Sequence, residues 1–232
     1  MAHKLSIVVP IYNEAATLEA ILKRVKAVDI GIEKEILLID DFSTDGSREI
    51  LMKIEKSANQ LIRVLYHPVN RGKGSTLRTG LRHVTGDITI IQDADLEYDP
   101  EDYPKLIQPI LDGEADVVYG SRFAMGRQCC LFSSYVANKI LTSLSNVFTR
   151  FNLTDMETCY KVFKTSILQE IPLRSDRFGF EPEITAKLAK RKCRLVELPI
   201  TYRGRGYHDG KTVSWKDGIA AIFHIIRFRF KD

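Results

Sequence analysis

The chain lacks most of the features that assign a protein quickly. Its four cysteines, Cys129, Cys130, Cys159 and Cys193, make no CxxC pair and have no histidine at zinc-ligand spacing. Adjacent cysteines do not build a secreted disulfide framework, so reduced thiols in a cytosolic protein are the expectation. No apolar run approaches the ~20 residues of a membrane span, and the longest near the C-terminus is IAAIFHII. The apolar LSIVVPIY contains Pro10 and no small-residue cleavage site, so it reads as a strand and not as a signal peptide. Net charge is only +4, which gives no ground for a nucleic-acid partner. Internal repeats, low-complexity tracts and clear linkers are missing as well.

What is present is the composition of a folded soluble protein. With 232 residues, 44% hydrophobic and 28% charged, it can bury one substantial core. Charge is uneven along the chain. Between Arg191 and Asp232 ten Lys/Arg stand against four acids, so this tail carries +6 and the rest −2. Its last segment, IAAIFHIIRFRFK, joins an apolar run to Arg227, Arg229 and Lys231. That suits a helix lying in an anionic headgroup layer, or one packed on the core with basic ends.

Apolar runs alternate with amphipathic stretches through the first half. KLSIVVPIY, EILLIDD, IRVLYH, ITIIQD and ADVVYGSR read as strands. Between them EAATLEAILKRVKAV, SREILMKIEKSA, GSTLRTGLRHV and PEDYPKLIQPILDG read as helices. Strands that are apolar throughout and alternate with helices predict an α/β fold with a mostly parallel sheet covered on both faces. The second half is less regular. SYVANKILTSLSNVFTRF, FEPEITAKLAKR and WKDGIAAIFHIIRFRF read as helices, DMETCYKVF and RLVELPITY as strands, and 123–133 and YRGRGYHDGKTVS as loops.

In such sheets ligands bind beyond the carboxyl ends of the strands. Polar clusters stand there: Tyr12-Asn13-Glu14, Asp40-Asp41, Asp93-Asp95-Glu97 and Ser121-Arg122. If the fourth strand stays extended past Gln92, the alternate acids Asp93, Asp95 and Glu97 share one face. Carboxylates brought together call for a positive charge, and oxygen-only ligands suit a hard cation such as Mg2+ or Mn2+. A solvated acidic turn is the other reading. Asp40 and Asp41 can accept from ring N–H groups of a nucleobase, whereas Asp45 reads as a helix cap. In NRGKGSTLRTG two glycines flank Lys73 before a helix, a place that favours an anion, although the spacing is not that of a P-loop. Together these features describe a nucleoside diphosphate, with a metal at Asp93/Asp95 making it a good leaving group.

IVVPIYNE, LIDDFSTDGS, NRGKGSTLRTG, QDADLEYDP and GSR, in this order, resemble the family-2 glycosyltransferases with the GT-A fold. DMETCYKVF, FGFEPEI and YRGRGYHDGKTVSWKDG are similar to the branch of dolichyl-phosphate mannose and glucose synthases. The resemblance implies a Rossmann-like three-layer α/β fold forming a single domain over 1–232. Residues 1–122 would be the nucleotide-sugar half, 123–211 the acceptor half and 212–232 a closing amphipathic helix. It implies that Pro10, Tyr12, Glu14 and Asp41 surround the nucleoside. Asp93 and Asp95 would form the DxD metal motif, with Glu97 as a third metal-facing group. Arg122 would face an acceptor phosphate, and Arg205 and Lys211 would close over the donor diphosphate. One departure is that the segment after GSR, MGRQCCLFSSYVAN, offers only Arg127 where the branch carries a further arginine, and places it early.

The expected reaction is inverting transfer of a hexose from a UDP-glucose- or GDP-mannose-type donor to a polyprenyl phosphate, at the cytoplasmic membrane face. Such an acceptor is already ionised and needs cationic support, not a strong base. A sugar hydroxyl acceptor, in polysaccharide or glycolipid assembly, would need a base, and Asp155 is the candidate, with a turn or cap as its structural alternative. A non-catalytic sugar-nucleotide-binding protein is the reading of another class. Many relatives of the branch add transmembrane helices, so attachment here would be peripheral or through a partner.

Overall fold

The computed structural model describes residues 3–57, 60–124, 132–177, 179–204 and 215–231. In chain order the elements are β1 (Lys4–Ile11), α1 (Leu18–Ala27), β2 (Glu33–Asp40), α2 (Ser47–Ser57), β3 (Ile62–Tyr66), α3 (Lys73–Leu81) and β4 (Ile88–Ile91). A 3-10 turn (Pro100–Asp102) leads into α4 (Tyr103–Leu111) and β5 (Val117–Ser121). Then come α5 (Phe132–Thr149), β6 (Lys161–Lys164), α6 (Thr165–Gln169), α7 (Phe180–Lys190), β7 (Leu195–Pro199) and α8 (Trp215–Phe230).

The strands form one seven-stranded sheet in the order β3-β2-β1-β4-β6-β5-β7. Only β6 runs antiparallel to its neighbours, so the expected mostly parallel α/β sheet is what forms. In β1, five consecutive residues from Leu5 to Val9 are buried, which requires cover on both faces. Helix α1 supplies part of it: Leu18, Ile21, Leu22 and Val25 fall on one stripe and are all buried. Each such side chain contributes about 1.5–3 kcal/mol on burial. The register sets Ile11 beside Asp40, and Asp40 beside Tyr66, so the first three strands finish at one level.

The second half departs from the sequence reading in one place. DMETCYKVF is a strand only over Lys161–Lys164, and α6 follows it at once. Wedged antiparallel between β4 and β5, β6 is limited by the short β4, whose last partner in the pairing is Ile90 with Val162. Residues 155–160 therefore form an irregular turn at the sheet's carboxyl edge. Helix α7 is buried from Phe180 to Leu188. It contains a buried ion pair, Glu183 Oε1 to Lys187 Nζ at 2.6 Å. Glu183 also accepts the backbone N–H groups of Arg174 (2.8 Å) and Ser175 (2.7 Å), which fixes the loop ahead of the helix.

Candidate active site

The loops after β1 and β2 are laced together. Asn13 N–H donates to Ser43 Oγ (3.1 Å) and Thr44 N–H donates to Asn13 Oδ1 (2.8 Å). Ala15 N–H donates to Asp45 Oδ2 (2.9 Å), while Asp45 Oδ1 accepts from Ser47 N–H (3.0 Å) and Oγ (2.6 Å), the capping role expected of it. Glu14 accepts from Thr17 Oγ1 (2.8 Å), so its carboxylate closes the start of α1. Pro10 stays in the β1 ladder opposite Ile39, and Tyr12 is half exposed beyond it. Asp40 is fully buried. Its Oδ1 accepts Ser43 N–H at 3.1 Å, while Oδ2 has no hydrogen-bond partner among the described residues, Arg48 Nε lying 3.7 Å away. Arg48 in turn spreads over the rings of Phe42 and Tyr66.

Asp41 does different work from its neighbour. Its Oδ1 takes His67 Nδ1 (2.7 Å) and Arg71 N–H (2.9 Å), and its Oδ2 takes Gly72 N–H (2.7 Å). Both oxygens are thus engaged by the NRGKG turn, which corrects the expectation of an Asp41 directed at the base. The turn is gripped from the other side as well. Ser75 N–H donates to Asp176 O (3.0 Å), and Arg78 reaches Ser175 O and the Asp176 carboxylate. At Gly72 φ is +87°, and a Cβ there would lie 2.6 Å from Asp176 O, so glycine is required both by conformation and by space.

Lys73 opens α3 and points its ammonium at the DxD segment. Nζ is 2.9 Å from Asp93 Oδ1 and 3.5 Å from Glu181 Oε1. Burial alone would push the Lys73 ammonium down, but Asp93 outweighs it, with Glu181 adding, and the pKa ends well above the usual lysine value. Below Asp93, Gln92 is braced by two phenols. Tyr103 and Tyr160 both donate to Gln92 Oε1 (2.5 and 2.7 Å), and Gln92 Nε2 donates to Asp93 O (2.8 Å).

The row of three acids does not form as expected. The strand stops at Ile91, Ala94 is buried, and Leu96 has φ +63°, which breaks the two-residue alternation. Asp95 Oδ1 accepts Glu97 N–H (3.1 Å), and Glu97 Oε2 accepts from Tyr202 OH (2.8 Å). Among the described residues no three His, Cys, Asp or Glu side chains are grouped to hold an ion. A three-carboxylate cage is therefore not built, and Glu97 instead ties down the segment after β7. Asp93 and Asp95 remain as hard oxygen donors, and Asp93 already stands against a cation. That donor set fits a divalent ion taking its other ligands from phosphate oxygens and water.

Across from this corner stands Arg122, at the end of β5. Its Nε and Nη2 meet Asp155 Oδ2 and Oδ1, each at 2.7 Å, and Nη2 also approaches Asn138 Oδ1 of α5 at 3.3 Å. Its guanidinium lies over Phe123 and Tyr202, 5.3 Å from each centroid. Burial would depress Arg122, but Asp155 reverses that and keeps it charged. Asp155 is fully buried, and its backbone N–H is held by Glu197 Oε1 (3.0 Å). With both of its oxygens held by one guanidinium, the Asp155 carboxylate is committed within the protein, so the geometry favours the structural alternative for Asp155.

Sequence reasoning gave no role to four groups here: His67, Gln92, Glu157 and Glu181. Glu181 and Glu157 fall inside stretches already noted, FGFEPEI and DMETCYKVF, which is the signal they carried. Arg127, Arg205 and Lys211 lie outside the described residues.

The family described as Glycosyl transferase family 2 matches residues 6–172. The undecaprenyl-phosphate 4-deoxy-4-formamido-L-arabinose transferase of Salmonella paratyphi A is 32% identical over 210 residues, covering 90% of this chain and 62% of the relative. The protein of the same description from Klebsiella pneumoniae is 33% identical over 211 residues, with the same coverage of 90% and 62%. The chain thus spans somewhat under two thirds of the length of these curated relatives. Among solved structures, glucosyl-3-phosphoglycerate synthase of Mycobacterium tuberculosis with Mn2+, UDP and glucosyl-3-phosphoglycerate superposes at TM-score 0.75 and 20% identity, covering 99% of this chain and 81% of that one. Its complex with Mg2+ and UDP gives TM-score 0.72 and 22% identity, covering 99% and 80%.

Proposed function

The chain belongs to glycosyl transferase family 2, and on that premise we propose that it transfers a sugar, with inversion, from a nucleoside diphosphate to a polyprenyl phosphate. Residues 1–122 hold the donor, 123–211 the acceptor, and 212–232 add a surface helix. Asp40, through its unmatched Oδ2, takes a ring N–H of the base, with Pro10 and Tyr12 beside it, while Asp41 and Glu14 hold the surrounding loops. Asp93 and Asp95 would hold Mg2+ or Mn2+, which neutralises the diphosphate as the glycosidic bond breaks. Lys73 adds a second positive charge at the same corner. Arg205 and Lys211 follow the segment tied to Glu97 and are assigned to the donor diphosphate by that place in the sequence.

The observation that carries the acceptor side is Arg122. It is nearly buried yet charged, fixed in orientation by Asp155 and Asn138, and opposite the DxD corner. An anion held there is already ionised near neutral pH and needs no base. A lipid acceptor is supported by the description of the curated relatives and by the side of α5 that carries no site residues. Phe132, Val136 and Ile140 are exposed on it, as are Ile222, Phe223, Ile226 and Phe230 on α8, next to Arg227 and Arg229. No helix among the described residues is long and apolar enough to cross a membrane. We assign these two helices to peripheral contact with the cytoplasmic face of an anionic bilayer.

The test is incubation with labelled UDP-glucose or GDP-mannose, Mn2+ and undecaprenyl phosphate. Label that becomes extractable into organic solvent supports the proposal. Label appearing only on added oligosaccharide would replace it with transfer to a hydroxyl.

A further inference from the structure

Glu157 lies in the irregular turn before β6. Its Oε1 is out of solvent and has no hydrogen-bond partner among the described residues. Buried polar atoms without partners are rare in native proteins and destabilising unless a ligand completes them. Four charged groups act on Glu157. They are Glu181 of α7, Lys161 of β6, Arg122 after β5 and Asp155 of the same turn. Arg122 marks the acceptor wall. Glu181 marks the donor wall, because it shares Lys73 with Asp93. Two residues along, buried Cys159 interacts with both Asp93 and Lys73. Glu157 is therefore within electrostatic reach of both the acceptor arginine and Glu181, with a buried oxygen unpartnered among the described residues.

We propose that Glu157 is a specificity-determining residue that hydrogen-bonds a hydroxyl or amide N–H of the transferred sugar. This rests on the glycosyl-transfer reading of the site. A phosphate is a worse match, because it offers only acceptors and would meet the carboxylates of Asp155 and Glu181 nearby. Burial first, and Glu181 second, push the Glu157 carboxyl up to about 8. At neutral pH it therefore presents one donor and one acceptor, the pair that a sugar hydroxyl complements. Lys161 does not fill the vacancy, since its ammonium is directed at the backbone carbonyls of Met156 and Thr158.

The experiment compares binding of UDP with UDP-glucose, and of GDP with GDP-mannose, in the presence of Mn2+, to the unaltered protein, Glu157→Gln and Glu157→Ala. Isothermal titration reads affinity, and circular dichroism checks that each variant is folded. The expected result is that Glu157→Ala weakens sugar-nucleotide binding about tenfold and leaves the bare nucleoside diphosphate unchanged. Glu157→Gln, which keeps an acceptor and a donor, loses less. With monodeoxy sugar nucleotides, the analogue lacking the contacted hydroxyl binds the unaltered protein and Glu157→Ala equally. Equal loss for the bare and sugar-bearing nucleotides, or no loss for either, overturns the role of Glu157 alone. Failure of the unaltered protein to bind any nucleoside diphosphate overturns the glycosyl-transfer reading, and this inference with it.

Discussion

The two walls of the site are finished to different degrees. On the donor wall almost every polar group is spent within the protein: Asp41 holds three donors, Asp45 ties two loops, and the turn at Gly72 is gripped from both sides. Among the described residues, Asp40 Oδ2 and Ser175 Oγ are left over there. The acceptor wall has one strong ion pair among the described residues, Arg122 to Asp155 with Glu197 bracing it, beside Glu157, whose Oε1 has no partner among them, and helices with exposed apolar side chains. A wall whose groups satisfy one another is set before a ligand arrives. A wall with unmatched groups is completed by the ligand, and on the proposed function that is where substrates would be told apart.

The sharpest way to break this contrast is to remove the one strong bond of the acceptor wall. Asp155→Ala leaves the Arg122 guanidinium nearly buried without its partner and should cost about 3–5 kcal/mol, read by urea denaturation. A loss below about 1 kcal/mol, the range of exposed pairs, would mean that the acceptor wall has no rigid anchor. Next in size, Asp95→Ala should lower kcat at least ~100-fold while leaving the denaturation midpoint close to that of the parent. Near-normal turnover would remove the metal from the donor corner. Asp41→Ala should cost about 1–3 kcal/mol, since it strands two backbone N–H groups and His67. Limited proteolysis near Arg71 should accelerate in that variant, and an unchanged rate would show that the turn does not depend on Asp41.

The contrast can also be sharpened through pH. The Glu157 pKa is raised from 4.5 to about 8 in the folded protein, so between those values the native state keeps a proton that the unfolded chain has lost. Stability therefore falls as pH rises through that window and levels off above it. Glu157→Gln removes the dependence, so thermal denaturation at pH 5 and pH 8.5 should shift in the variant's favour at the higher pH. Parallel curves for the two proteins would place Glu157 in water.

The donor half was legible because its strands are apolar throughout and its helices carry clear stripes. In EAATLEAILKRVKAV the apolar Leu18, Ile21, Leu22 and Val25 recur at helical spacing, and all four are buried in α1. What could not be read depends on contacts made far along the chain. The engagement of Asp41 by Arg71 and Gly72 joins residues about thirty apart, and no local pattern announces it. The alternate acids suggested one face, but the turn at Leu96 and the tie from Glu97 to Tyr202 override strand period. The lone antiparallel strand β6 escaped full description because four residues between two neighbours are too few to show alternation.

The grip of Asp176 and Arg78 on the glycine turn joins residues 98 apart in the chain, which has a consequence during synthesis. When only the first four strands have left the ribosome, the glycine turn still lacks its contacts with Ser175 and Asp176. Those contacts need the loop that Glu183 of α7 holds. An N-terminal portion ending before Ser175 would thus carry the whole sequence of the turn and still lack the contacts that Arg78 and Ser75 make across to Ser175 and Asp176.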